Sequence, residues 1–175
     1  MFNALLGGMT MTRLSSLSLA TGAVCLAAIS GPAMAASTQT TFKVTADVTA
    51  SCTIAAADLD FAAYDPGGSA VPGQSSITVH CTNGTTWNVG LNAGVFSGAT
   101  TSTRKMTGPG SFALAYGLFT DSAHTTSWGN IVGTDTESGT GTGIDQVLNV
   151  YGLVPASQNV GAGHYEDTIT ATVTF

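Results

Sequence analysis

The sequence predicts an all-β sandwich, and three observations carry that expectation. Short runs from residue 42 onward alternate apolar with polar residues, the period of a strand with one buried face. Turns rich in Gly, Pro, Asn and Asp separate these runs. No stretch beyond residue 35 keeps a helical period. Short strands spaced by turn signals point to two packed sheets.

The chain opens on a processing segment. Arg13 is the only charge before Lys43, and residues 14–29 are apolar and rich in small side chains. Gly31-Pro32 breaks that run, and Ala33-Met34-Ala35 has the small-x-small pattern of a secretory cleavage site. The run is shorter than the ~20 residues of a spanning helix. Met9 and Met11 lie nearer Arg13 than Met1 does and are alternative starts. Cys25 falls inside the discarded run. The sequence therefore divides into a signal peptide at 1–35, an N-terminal segment at 36–50 and a β-sandwich domain at 51–175.

In residues 41–50 Phe42, Val44, Ala46, Val48 and Ala50 alternate with Thr, Lys and Asp. A strand with one apolar face at a chain end needs a sheet to pair with, its own or a neighbour's. Residues 53–54 extend the segment, and 59–61 form a short second piece. Asp65-Pro66-Gly67-Gly68 is a turn. Ile77, Val79 and Cys81 alternate through residues 75–82, and Asn83-Gly84 signals a hairpin into Trp87, Val89 and Leu91. Residues 92–110 read as a long loop with a short strand at 104–107. Phe112, Leu114, Tyr116 and Leu118 alternate again, and residues 121–129 form a polar turn that carries Trp128. Residues 134–143 read as loop, 144–154 as strand, and 165–175 as one last strand reaching Phe175. Both apolar ends are unpartnered edges, a liability in a secreted monomer.

Composition narrows the function. Three basic and ten acidic residues follow position 35, a formal net charge of −7. Such a chain offers no electrostatic footprint for nucleic acid or anionic membrane. Charged residues are 8% of the whole, against ~25% in ordinary soluble domains. A surface of Gly, Ser, Thr and Ala fits a protein covered by its own copies, and equally a Thr-rich secreted β-protein. Cys52 and Cys81, an even pair in an exported chain, read as one intrachain disulfide.

Catalytic and metal patterns are weak. His80, His124 and His164 fall in separate segments without ligand spacing. No G-x-S-x-G elbow occurs. The glycines of residues 139–143 lack the lysine of a phosphate loop. Asp135, Glu137 and Asp145 lack calcium-loop spacing. Asn83-Gly84-Thr85 fits a glycosylation sequon and a turn alike, and the turn is preferred. The expectation is a protein that is not an enzyme, with no cofactor and no metal.

An ordered set of pieces resembles the spore coat protein U domain family, which includes major subunits of archaic chaperone–usher pili. The pieces are Ala50-Ser51-Cys52-Thr53-Ile54, Val79-His80-Cys81, the stretch 88–94, Arg104-Lys105-Met106, the stretch 114–121, Trp128-Gly129, Val150-Tyr151-Gly152 with Pro155, and residues 163–168 leading to Val173-Thr174-Phe175. The resemblance implies an incomplete immunoglobulin-like β-sandwich completed by an N-terminal donor strand from a neighbouring subunit. A periplasmic chaperone lends a strand first, and at the outer-membrane usher the next copy's N-terminal segment replaces it. Phe42, Val44, Ala46 and Val48 would then be the donor side chains, and Ile169, Ala171, Val173 and Phe175 would line the acceptor groove. The chain would be a pilus subunit that polymerises with copies of itself at the cell surface and supports adhesion and biofilm formation. A secreted or periplasmic coat-like monomer that closes its own sheet is the alternative, and an exported hydrolase a distant third.

Overall fold

The computed structural model describes residues 34–175. The signal-peptide reading, with Met9, Met11 and Cys25, lies on residues outside that range apart from its last two. The chain falls into two units, one ending at Val44 and one spanning Thr45–Phe175. Residues 34–44 carry no helix or strand and are exposed. The second unit is the sandwich.

Eight strands build it: β1 (Cys52–Ala56), β2 (Val71–Cys81), β3 (Thr86–Leu91), β4 (Arg104–Thr107), β5 (Ala113–Phe119), β6 (Glu137–Thr140), β7 (Asp145–Val154) and β8 (Ala171–Thr174). A single 3₁₀ turn, Pro109–Ser111, is the only helical element among the described residues. One sheet has the order β1-β2-β7-β5-β4 and the other β6-β3-β8. Every named pairing is antiparallel. The long β2–β7 ladder, Val71↔Val154 through His80↔Asp145, is the spine of the larger sheet.

The alternation that predicts the strands also fills the core. Ile77, Val79 and Cys81 of β2 share one buried cluster with Trp87, Val89 and Leu91 of β3 and with Leu114, Tyr116, Leu118, Val150 and Val154. Burying a side chain such as valine contributes roughly 1.5–3 kcal/mol relative to leaving it in water, so these positions supply most of the fold's stability.

Three expectations are corrected. The Asn83-Gly84 turn does not close a hairpin. β2 already pairs with β1 on one side and β7 on the other, so β3 finds no free edge there and crosses to the second sheet. Gly84 adopts φ +82° at this corner, a conformation open to glycine at little cost. Residues 134–143 are not all loop, because β6 pairs with β3 there. Gly139 lies opposite Trp87, and a Cβ at that position would run into the indole, so the close approach requires glycine. The stretch 165–175 is not one strand. Glu166 forms a bridge with Thr107 at the β4 edge, and only Ala171–Thr174 pairs with β3.

The disulfide joins Cys52 to Cys81 across directly paired positions, with Cα atoms 4.1 Å apart. It staples a five-residue edge strand to the spine and closes a separation of 29 residues, worth about 3.5 kcal/mol in the loop-entropy account. Cys52→Ser or Cys81→Ser is expected to cost about 2–5 kcal/mol, read as a lower urea midpoint of the purified chain. Finding two free thiols in a non-reduced digest of the wild type would contradict the pairing.

Candidate functional site

The two sheets meet unevenly. β1 closes one sheet on its outer side and β8 closes the other, and neither has a further strand partner among the described residues. Between the sheets lies a cavity of about 1040 Å³ open to solvent. Its floor is apolar, made by Ile77, Leu91, Leu114, Tyr116, Leu118 and Val150. A closed sandwich would fill this space, because protein interiors pack to crystal density.

One wall is a strap at residues 57–64. Ala57 still donates its amide to the Ser76 carbonyl at 3.0 Å, and the chain then leaves β2. Leu59 and Phe61 drop onto Gly73 and Gly152, which face each other across the β2–β7 ladder. A Cβ on Gly152 would stand 2.7 Å from the Phe61 ring, and one on Gly73 2.8 Å from Leu59 Cδ2. Phe61 then meets Tyr116 edge-on at 5.9 Å. Tyr64 fixes the far end: its hydroxyl donates to the Pro155 carbonyl at 3.0 Å and accepts the Gln158 amide at 2.8 Å. Gly152→Val should expel the strap at a cost of about 1–3 kcal/mol, the usual range for overpacking. Limited proteolysis should then cut within residues 57–64, and unchanged resistance would count against this packing.

The opposite wall is residues 160–171. Glu166 and Thr107 exchange amide–carbonyl bonds at 2.8 and 3.1 Å. Asp167 turns inward and accepts the Tyr116 hydroxyl at 2.6 Å and the Val95 amide at 2.8 Å. Burial, and then the bond to Asp167, raise the Tyr116 phenol well above its ordinary pKa. It therefore stays a neutral donor.

Beyond Asp167 the wall becomes β8. Leu91 pairs with Ala171, yet its amide bonds Gly129 rather than β8. Antiparallel ladders alternate bonded and non-bonded pairs, so Ala171 and Val173 turn their backbone groups toward the open edge.

Arg104 supports the site from behind. It is fully buried and spends its donors on four carbonyls: Asn92 at 2.8 Å, Thr101 at 2.6 Å, Leu91 at 2.9 Å and Trp128 at 2.8 Å. Desolvation lowers its pKa, while Tyr116, Asp167 and Asp135 oppose that shift. Trp128 in turn donates Nε1–H to the Val89 carbonyl at 2.8 Å. The ends of β3, β4 and the 128–135 loop are thus held as one piece.

Of the expected acceptor residues, Ile169 and Ala171 line the cavity, and Val173 packs against the core beside it. Phe175 is 58% exposed and borders a second, smaller cleft of about 520 Å³ with Val48, Ala50 and residues 82–86. The expected donor residues lie on a stretch that joins no ladder: Phe42, Val44 and Val48 are each more than 80% exposed, and Ala46 is exposed too. Sequence reasoning missed Leu59, Phe61, Gly73, Gly152, Tyr116, Asp167 and Arg104 as parts of the site. Only Arg104 carried a signal, as the sole arginine after residue 35.

The other candidate groups sit elsewhere. His80 Nδ1 lies 2.8 Å from Asp145 Oδ1 on the exposed face of the larger sheet, and His164 Nε2 lies 3.8 Å from Glu166. Asp135 is occupied in holding a turn, accepting the Ile131 amide at 2.6 Å. No group of three or more His, Cys, Asp or Glu side chains converges among the described residues.

Comparison with known proteins places this geometry. Residues 38–172 match the family model for the Spore Coat Protein U domain. Protein U of Myxococcus xanthus is 35% identical over 170 residues, covering 89% of this chain and 94% of that protein. A solved chaperone–tip adhesion subunit pre-assembly complex from archaic chaperone–usher Csu pili of Acinetobacter baumannii contains a similar chain. The TM-score is 0.54 at 29% identity, over 73% of this chain and only 40% of the length of that one.

Proposed function

This chain belongs to the Spore Coat Protein U domain family, and from that premise we propose that it is a structural subunit of a chaperone–usher pilus. The carrying observation is the open apolar groove flanked by free backbone groups on β8. An extended strand of alternating apolar side chains fits such a groove: its backbone completes the ladder and its side chains set the register. Residues 41–50 of a second copy have that pattern. The solved Csu complex, in which a pilus subunit is paired with a chaperone, supports a chaperone as the earlier occupant.

In this reading the subunit crosses the periplasm capped, passes an outer-membrane usher and exchanges the chaperone's strand for Phe42, Val44, Ala46 and Val48 of the next copy. The product is a homopolymer at the cell surface serving adhesion and biofilm formation. Electron microscopy and size exclusion of material sheared from producing cells test it: fibres are expected, and a monomer near the chain mass favours the self-closed coat-like protein. A chain lacking residues 36–50 is expected to form no fibres, yet to bind a synthetic peptide of residues 38–50 in trans. Absence of peptide binding would sink the assignment of the groove.

A further inference from the structure

The tether between donor and body is short. Thr82 clamps Ser51: the Thr82 amide donates to the Ser51 carbonyl at 2.9 Å, and the Ser51 amide donates to Thr82 Oγ1 at 3.2 Å. If Val48 is seated in a neighbour's groove, only three Cα steps separate it from that clamp. At ~3.3–3.6 Å per extended residue they span about 10–11 Å. Two domains linked so closely must touch around the point where the tether leaves.

The surface at that point is the corner of residues 81–86 with the adjoining residues 139–144. It is built to be stiff. Gly84 donates to the Gly141 carbonyl at 2.9 Å, Gly141 to Thr85 at 2.7 Å, Thr85 to Thr82 at 3.0 Å and Gly143 to Cys81 at 3.1 Å. It is also uncharged: neither stretch holds an Asp, Glu, Lys or Arg. On a body with a net charge of −7 after residue 35, copies repel over much of their surface and approach most easily where charge is absent. Glycine and threonine keep the surface low. Ile144, 68% exposed, adds an apolar side chain to it, and the 520 Å³ cleft beside Val48 and Phe175 opens onto it.

We propose that this pole is a second interface between copies, in which residues 82–86 seat against the subunit whose groove holds the same chain's Val48. The inference rests on the donor-strand reading and adds a body-to-body contact to it. Asn83 probes the contact, because it is exposed and its amide has no hydrogen-bond partner among the described residues. In full-length chain carrying Asn83→Cys, maleimide is expected to label the chaperone-capped subunit and to leave assembled fibres unlabelled. In wild-type fibres the Asn83 amide is expected to exchange hydrogen more slowly than in the capped subunit, a readout that needs no added cysteine. Equal labelling and equal exchange in both states overturn the proposal while leaving the groove reading intact. Failure of the 38–50 peptide to bind the truncated chain overturns both.

Discussion

Val44→Asp combined with Val48→Asp is expected to abolish fibres while leaving a folded, chaperone-bound subunit with its disulfide formed. Each valine contributes roughly 1.5–3 kcal/mol when it moves from water into an apolar groove, and both are more than 80% exposed before assembly. An ionised carboxylate in the same place forfeits that gain and adds a desolvation penalty of several kcal/mol. The groove floor of Ile77, Leu91, Leu114 and Leu118 has no hydrogen bond to offer it. Thr45→Ser, on the opposite face of the strand, is expected to assemble normally. Electron microscopy of sheared material reads the outcome directly, and wild-type fibre yield from the double variant would contradict the donor assignment.

Arg104→Met should destabilise the body by about 2–6 kcal/mol, because the two buried carbonyls of Leu91 and Trp128 lose their donor at about 1–3 kcal/mol each. Methionine fills much of the volume but leaves the carbonyls of Leu91, Asn92, Thr101 and Trp128 without the donors they now share. Each unsatisfied buried polar group costs about 1–3 kcal/mol, and a domain of this kind has only ~5–15 kcal/mol in total. Lys105→Met is the contrast. Its ammonium stands 5.4 Å from the Phe96 ring centroid at the surface, a contact worth about 0.5–1 kcal/mol. Urea unfolding of the peptide-capped body should show a large loss at 104 and a small one at 105. Equal losses would mean that Arg104 is not the hub its geometry describes.

How much of this was legible follows from what side-chain alternation can carry. It marks which residues face the core, so β2, β3 and β5 and the inward positions Ile77, Val89 and Leu114 could be read directly, whereas β7 could be read as a strand without its inward face, because Val147, Leu148, Val150 and Tyr151 do not alternate. It does not name a strand's partner, which is why the turn at Asn83-Gly84 read as a hairpin although both edges of β2 are taken. β6 was hidden because Gly139 is there for Trp87 and carries no strand signal of its own. Pro72 and Gly73 likewise disguised the first third of β2. Pro72 is tolerated there because β1 stops at Ala56, opposite Ile77, and leaves that side of β2 unpaired. The strap was illegible for a different reason: Leu59 and Phe61 depend on Gly73 and Gly152, and only the tertiary register brings those glycines together. Arg104 was visible as a residue but not as a hub, since its partners are backbone carbonyls that every residue possesses.

The groove itself was accessible only in part. Apolar alternation at both chain ends suggested two unpartnered strands, and Ile169 and Ala171 do line the cavity. The inward turn of Asp167 against Tyr116, and the bridge from Glu166 to Thr107, break the final stretch in a way that no local pattern records.

Donor-strand completion is tested most directly by hydrogen exchange at the Ala171 and Val173 amides, which face the open edge of β8. Slow exchange is expected in assembled fibres and in the body lacking residues 36–50 once the 38–50 peptide is bound. Fast exchange at both amides within fibres, or slow exchange in the truncated body with neither peptide nor chaperone, would contradict it.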